Sequence, residues 1–145
     1  MRTVGQKETL DRSDQNVDNH FRISSGHLLA MLIRRLTVSD APSFRALRLA
    51  GLEESPASFA SSYQEEAALD AEHFARQLGP REDRGVFGSF DGSRLVGIAG
   101  LGRENLRQLS HKAFLWGVYV EPDMRRRGIS TMLISEILSF AQRVP

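Results

Sequence analysis

The chain has 145 residues, 41% hydrophobic, 26% charged and 8% aromatic, with a formal net charge of +1. That suffices for one domain with one core and exerts no global pull on nucleic acid. Cysteine is absent, which excludes disulfides, thiolate metal sites and a cysteine nucleophile. No apolar run approaches the roughly 20 residues of a membrane span, and the N-terminus lacks the basic-then-apolar pattern of a secretory signal. The default expectation is a cytoplasmic, soluble domain.

Residues 1–30 are polar and aperiodic up to about His27, and this composition predicts a disordered extension. The folded domain is expected over 31–145. Leu32-Ile33-Arg34-Arg35-Leu36 reads as a first strand. Ser39 or Asp40 can cap the helix that follows, and Pro42 suits its first turn. Phe44, Leu47 and Leu52 give that helix an apolar side, with Arg45 and Arg48 expected opposite. The stretch EESPASFASSYQEEA reads as a loop or a broken helix. Asp70 is placed to cap a second helix that Gly79-Pro80 ends.

Gly85 to Phe90 and Arg94 to Leu101 read as two strands joined at Asp91-Gly92, a strong hairpin signal. A polar connection, GRENLRQLSHK, leads to a strand from Ala113 to Val120. This last strand is apolar on both faces, which predicts a central position covered on both sides. Ile129, Leu133, Ile137, Phe140 and Val144 then recur at helical spacing. The predicted order is β-α-α-β-β-β-α: an α/β domain with an antiparallel meander and a closing strand-to-helix crossover.

Chemistry concentrates where that crossover begins. Glu121-Pro122-Asp123-Met124 turns the chain, and Arg125-Arg126-Arg127-Gly128 opens the helix. The first amides of a helix have no intrahelical partner, and the dipole makes that end positive. A glycine there lets a bulky anion approach the backbone. The amides around Arg125 to Ser130 could form an anion-binding nest, at the C-terminal end of a strand, where open α/β sheets bind ligands. Three arginines at a helix start oppose the dipole, so a merely solvated turn and a nucleic-acid contact stay open. Neither GxxxxGK[ST] nor GxGxxG occurs.

At these residues the sequence resembles the GNAT superfamily of acyl-CoA-dependent N-acetyltransferases. Its signature is a V-x-V strand end, a short turn, then [QR]-x-x-G-x-[GA] opening a helix. Arg125-Arg126-Arg127-Gly128-Ile129-Ser130 fits five of the six positions, with Ser130 replacing the last small residue. HKAFLWGVYVEPDMR and SPASFASSYQEE also look like stretches of small bacterial members. The resemblance runs from about Met31 to the end and implies a GNAT-like mixed sheet with flanking helices. It also implies further C-terminal strands and a helix beyond Pro145, so the domain is expected to be incomplete there.

What the resemblance implies for function is transfer of an acetyl group from acetyl-CoA to an amine acceptor. The backbone of Val118, Tyr119 and Val120 would pair with the pantetheine arm. The amides of Arg126, Arg127, Gly128, Ile129 and Ser130 would hold the pyrophosphate, with Thr131 at the rim. Arg125 and one other arginine would face the nucleotide phosphates. No metal, nucleic-acid partner or membrane partner is implied; a homodimer or a completing chain would supply missing parts. A non-catalytic acyl-CoA-binding or interaction module is the alternative. No catalytic residue is assigned. His73 and His111 are candidate bases with a surface role as the plainer reading. Glu53, Glu54, Glu65 and Glu66 could hold a cationic amine or form a solvated face. Trp116 is expected in the core, and Phe59 and Tyr63 either line the acceptor side or anchor a loop.

Overall fold

The computed structural model describes residues 20–23, 30–103 and 112–143. Five strands form one sheet in the order β1 (His20–Ile23), β2 (Ala30–Arg35), β3 (Gly85–Asp91), β4 (Arg94–Arg103) and β5 (Ala113–Val120). Every pairing between these strands is antiparallel. The helices are α1 (Ala41–Glu54), α2 (Tyr63–Ala67), α3 (Ala71–Gln77) and α4 (Ile129–Gln142). This is the expected α/β fold with flanking helices. His111 and most of the polar connection after Arg103 lie outside the described residues, as do residues 1–19 and Val144.

Burial explains the layers. Neighbouring residues along a strand point to opposite faces. Val86, Ile98 and Tyr119 join Phe44, Leu47, Phe74 and Leu78 in a cluster under α1 and α3. Phe87, Ala99 and Val120 join Ile129, Leu133, Ile137 and Phe140 in a second cluster under α4. The apolar period read along α4 is therefore its buried face. Each such fully buried Leu, Ile or Phe contributes roughly 1.5–3 kcal/mol relative to exposure.

The local signals act largely as their chemistry dictates. Asp40 is the N-cap residue of α1 with a proline in the first turn, but its carboxylate does not cap. It accepts two hydrogen bonds of 2.8 Å from Arg34 and one of 2.7 Å from the Thr37 amide. Asp70 caps α3 by accepting from the His73 amide at 3.0 Å. The stretch read as a loop or broken helix is both: a 3-10 turn at Pro56–Ser58 and then α2, begun by a Ser62–Glu65 capping box. The β3–β4 hairpin turns on Gly92 and Ser93, with Asp91 opposite Arg94 and Gly92 at φ 64°.

β1 lies inside the polar N-terminal stretch and pairs Ile23 with Ala30 and His20 with Ile33; backbone pairing needs no apolar period. Two expectations are corrected. β5 is an edge strand of the described sheet, not a central one. Phe114 and Leu115 are 46% and 41% exposed, whereas β3 and β4 are buried almost throughout. Apolar sequence on both faces records what a strand can bury, not where the pairing order puts it. Arg48, expected on the solvent side of α1, is 8% exposed because its charge is met by a buried partner.

Candidate functional site

The strand-to-helix crossover is built from β5 outward. The Glu121 amide donates to the Val96 carbonyl at 2.9 Å, which fixes the exit from the sheet. Pro122–Met124 forms a 3-10 turn, and Met124 is buried beneath it. Arg126 then takes φ 64° and Gly128 φ 78°, both in the left-handed region. Gly128 is the N-cap of α4 and offers no side-chain cap. The first helical bond of α4 runs from the Met132 amide to the Gly128 carbonyl at 3.0 Å, so the amides of Ile129, Ser130 and Thr131 precede it and have no intrahelical acceptor.

The space in front of these amides is open. A Cβ placed on Gly128 would meet nothing within 4 Å. Arg126, Arg127, Ser130 and Thr131 are exposed around it, while the Ile129 side chain is core. The arrangement is a left-handed glycine, a run of amides without intrahelical acceptors, the positive end of a 14-residue helix and exposed cations. It can accept a polyanion such as a pyrophosphate at its backbone.

Arg125 sits apart from the other two arginines. Its Nε donates to the Val120 carbonyl at 2.9 Å, and its Nη atoms grip the Glu54 carboxylate at 3.1 and 2.8 Å. Tyr119 donates its hydroxyl to the same carboxylate at 2.6 Å. Burial and the Glu54 carboxylate push the Tyr119 phenol up to about 12. Arg125, and then Tyr119, hold Glu54 below the usual carboxylate range. This cluster ties the end of α1 to the end of β5. Arg125 is thus held on Glu54 and the strand end, not directed at the open space before Gly128.

Val118, Tyr119 and Val120 divide three ways. Val118 is exposed, Tyr119 is buried under α1, and Val120 is buried under α4. Tyr119 lies opposite Ile98 and Trp116 opposite Gly100, so Gly117 and Val118 together face Ala99. This is a β-bulge, with Gly117 at φ 63°. A Cβ at Gly117 would lie 2.7 Å from Arg48 Nη1. The outer edge of β5 pairs with no strand among the described residues.

Beside the bulge, on the α1 face, opens a cavity of about 620 Å³ lined by residues including Arg48, Glu65, Glu66, His73, Phe114 and Trp116. Arg48 donates from Nε and Nη2 to the two oxygens of Glu66 at 2.9 and 2.7 Å, and both residues are buried. Arg48, first, holds the Glu66 carboxylate below its ordinary range. The guanidinium also lies 5.0 Å from the Phe59 ring and 5.5 Å from that of Trp116. Trp116 is half-buried on the wall rather than in the core, and His73 packs edge-on against Phe74 while facing the cavity. Phe59 is half-buried and Tyr63 exposed. The acidic pairs Glu53–Glu54 and Glu65–Glu66 are legible in the sequence, but the arginine partners of Glu54 and Glu66 are signalled there only by the number of arginines on and after α1.

Among the described residues, no group of three or more His, Asp or Glu is placed to hold a metal ion. No helix among them is long and apolar enough to cross a membrane.

A family model described as the acetyltransferase (GNAT) family matches residues 48–144. No curated protein matches the chain. Solved structures do. The GNAT domain of S. lividans PAT aligns with a TM-score of 0.67 at 18% identity, over 86% of this chain and 72% of that one. Ribosomal-protein-alanine N-acetyltransferase from Brucella melitensis aligns with a TM-score of 0.63 at 25% identity, over 76% and 66%. YncA from Salmonella typhimurium, solved with its cofactor acetyl-CoA, aligns with a TM-score of 0.63 at 20% identity, over 79% and 64%. The chain spans about two thirds of the length of the last two.

Proposed function

The chain belongs to the acetyltransferase (GNAT) family, and from that premise we propose that it binds acetyl-CoA and transfers the acetyl group to an amine. One observation carries the reading: an uncapped helix start, with Gly128 at φ 78° and open space before it, at the end of a strand whose outer edge is unpaired among the described residues.

The residues fit the co-substrate. The amides from Arg126 to Ser130 hold the pyrophosphate, Thr131 donates at the rim, and Arg126 and Arg127 supply charge to the nucleotide phosphates. The free edge of Val118 to Val120 takes the pantetheine arm as an added strand. Acetyl-CoA supplies an activated acyl carbon. The bulge at Gly117 and Val118 splays the strand beside the cavity, so an amine entering there meets the arm at the sheet edge. Arg125 acts on this site through the Val120 carbonyl and Glu54, as a positioning residue for the strand end. Holding both partners in register supplies much of the rate advantage of such a transfer.

Release of free thiol from acetyl-CoA, measured with a panel of primary amines, tests the reading. Amine-dependent release supports transfer. Acetyl-CoA binding with no release for any amine would instead favour a non-catalytic acyl-CoA-binding module.

A further inference from the structure

The cavity beside the bulge has a floor whose construction is specific. Trp116 lies opposite Gly100 and Phe114 opposite Gly102 across β4 and β5. A Cβ on Gly100 would sit 2.2 Å from the Trp116 ring, and one on Gly102 would sit 2.7 Å from the Phe114 ring. The two rings therefore lie down along the sheet in the room that the glycines leave. Together they make an aromatic surface on the cavity wall.

The charges above that surface are unequal. Among the described residues, Arg48 is the only Lys or Arg lining the cavity, and Glu66 holds it with two hydrogen bonds. Its remaining nitrogen, Nη1, is buried without a hydrogen-bond partner among the described residues and fills the space over Gly117, so no guanidinium edge is exposed to an incoming carboxylate. Glu65 is different. One oxygen accepts from the Ser62 amide at 3.0 Å, and the carboxylate forms no ion pair among the described residues. Among the described residues, the cavity is thus an aromatic floor beside one carboxylate that no Lys or Arg pairs.

Resting on the acetyl-transfer reading, we propose that the acceptor is an arylalkylamine: a primary ammonium on a short arm from an aromatic ring, with no carboxylate near the nitrogen. The ring stacks on Trp116 and Phe114, and the ammonium faces Glu65. In the transfer, the ammonium first loses one proton to solvent, and the nitrogen lone pair forms the bond to the acetyl carbon. The carbon–sulfur bond then breaks, the sulfur leaves with its electron pair, and the second nitrogen proton ends on that thiolate. The products are an N-acetylamine and the free thiol. An amino-acid acceptor would set its carboxylate against Glu65, and the described lining offers it no free Lys or Arg.

Trp116 is the sole tryptophan of the chain, so its fluorescence reports occupancy without turnover. The 145-residue chain is titrated with 2-phenylethylamine and with phenylalanine, which differ by one carboxylate. The amine should bind roughly tenfold tighter or better, the scale of an uncompensated like-charge contact. Glu65→Gln, which keeps the capping box, should weaken 2-phenylethylamine about fivefold without weakening phenylalanine, so that the preference for the amine narrows. Phenylalanine binding as tightly as the amine, or neither compound changing the fluorescence by about 10 mM, well past the millimolar range of a weak site, overturns the proposal. The titration uses no acetyl-CoA. Its failure with acetyl-CoA binding intact removes the acceptor assignment alone, whereas loss of acetyl-CoA binding removes the function reading.

Discussion

Glu66→Gln tests the buried pair that walls the cavity. The side chain keeps its size and one acceptor oxygen but loses its charge, leaving Arg48 charged and buried. Breaking a buried pair by removing one partner costs about 3–5 kcal/mol. Glutamine can still accept one of the two bonds, and the Phe59 and Trp116 rings offset part of the charge, so the expected loss is about 3 kcal/mol. For a chain of this size that lowers Tm by roughly 10 °C. The assay is urea unfolding at neutral pH, repeated in acid. Arg48 depresses the native pKa of Glu66, so the pair's contribution is present above the unfolded carboxylate pKa of about 4.3 and is lost as pH falls through the lower native value. The gap between the native chain and the variant should therefore close in acid. Arg48→Met with Glu66→Leu should recover most of the loss, because an apolar pair replaces a buried ionic one. A Glu66→Gln chain within about 0.5 kcal/mol of the native one, or a gap that does not change with pH, would refute the reasoning.

Tyr119 should ionise at about 12; a Tyr63→Phe chain leaves it the only tyrosine, and tyrosinate absorbance near 295 nm should not rise with the ordinary midpoint of about 10. Because that pKa is raised by folding, its contribution to stability is intact below the ordinary value and is lost as pH rises through the native one. Gly100→Ala puts a Cβ 2.2 Å from the Trp116 ring and should cost about 1–3 kcal/mol by overpacking, with a shift in Trp116 emission; an unshifted spectrum and unchanged stability would contradict the flat seating of the ring. Leu133→Ala, at a position with 0% exposure under β4, should cost about 2.7–5 kcal/mol in denaturant; a loss below about 1 kcal/mol would mean that α4 is not docked as described.

The parts of this molecule that local chemistry determines were legible in the sequence. The spacing of Ile129, Leu133, Ile137 and Phe140 identified the buried face of α4, and Asp70 marked the start of α3, because caps and periodicity depend on residues a turn apart. The glycine at the helix start marked the uncapped, open beginning of α4 for the same reason. What depends on pairing across the chain was not legible. Nothing within Ala113 to Val120 says that the strand lies at an edge, and nothing in residues 20–23 announces a partner in β2. The Arg48–Glu66 and Arg125–Glu54 pairs join residues 18 and 71 positions apart. Each arginine therefore read as a solvated or phosphate-facing charge until the fold supplied its carboxylate. The bulge at Gly117 was equally hidden, since it arises from register between β4 and β5.

The most direct test of the central claim is an acetyl-CoA titration of the 145-residue chain by calorimetry, run beside Gly128→Asp. Aspartate tolerates the left-handed conformation better than most residues, and its Cβ meets nothing, so the variant should fold; its carboxylate then stands where the pyrophosphate would lie. Binding by the native chain that the variant weakens by roughly tenfold or more is the predicted result. Equal binding by both, or none by a folded native chain, would contradict the assignment of the α4 start as the acetyl-CoA site.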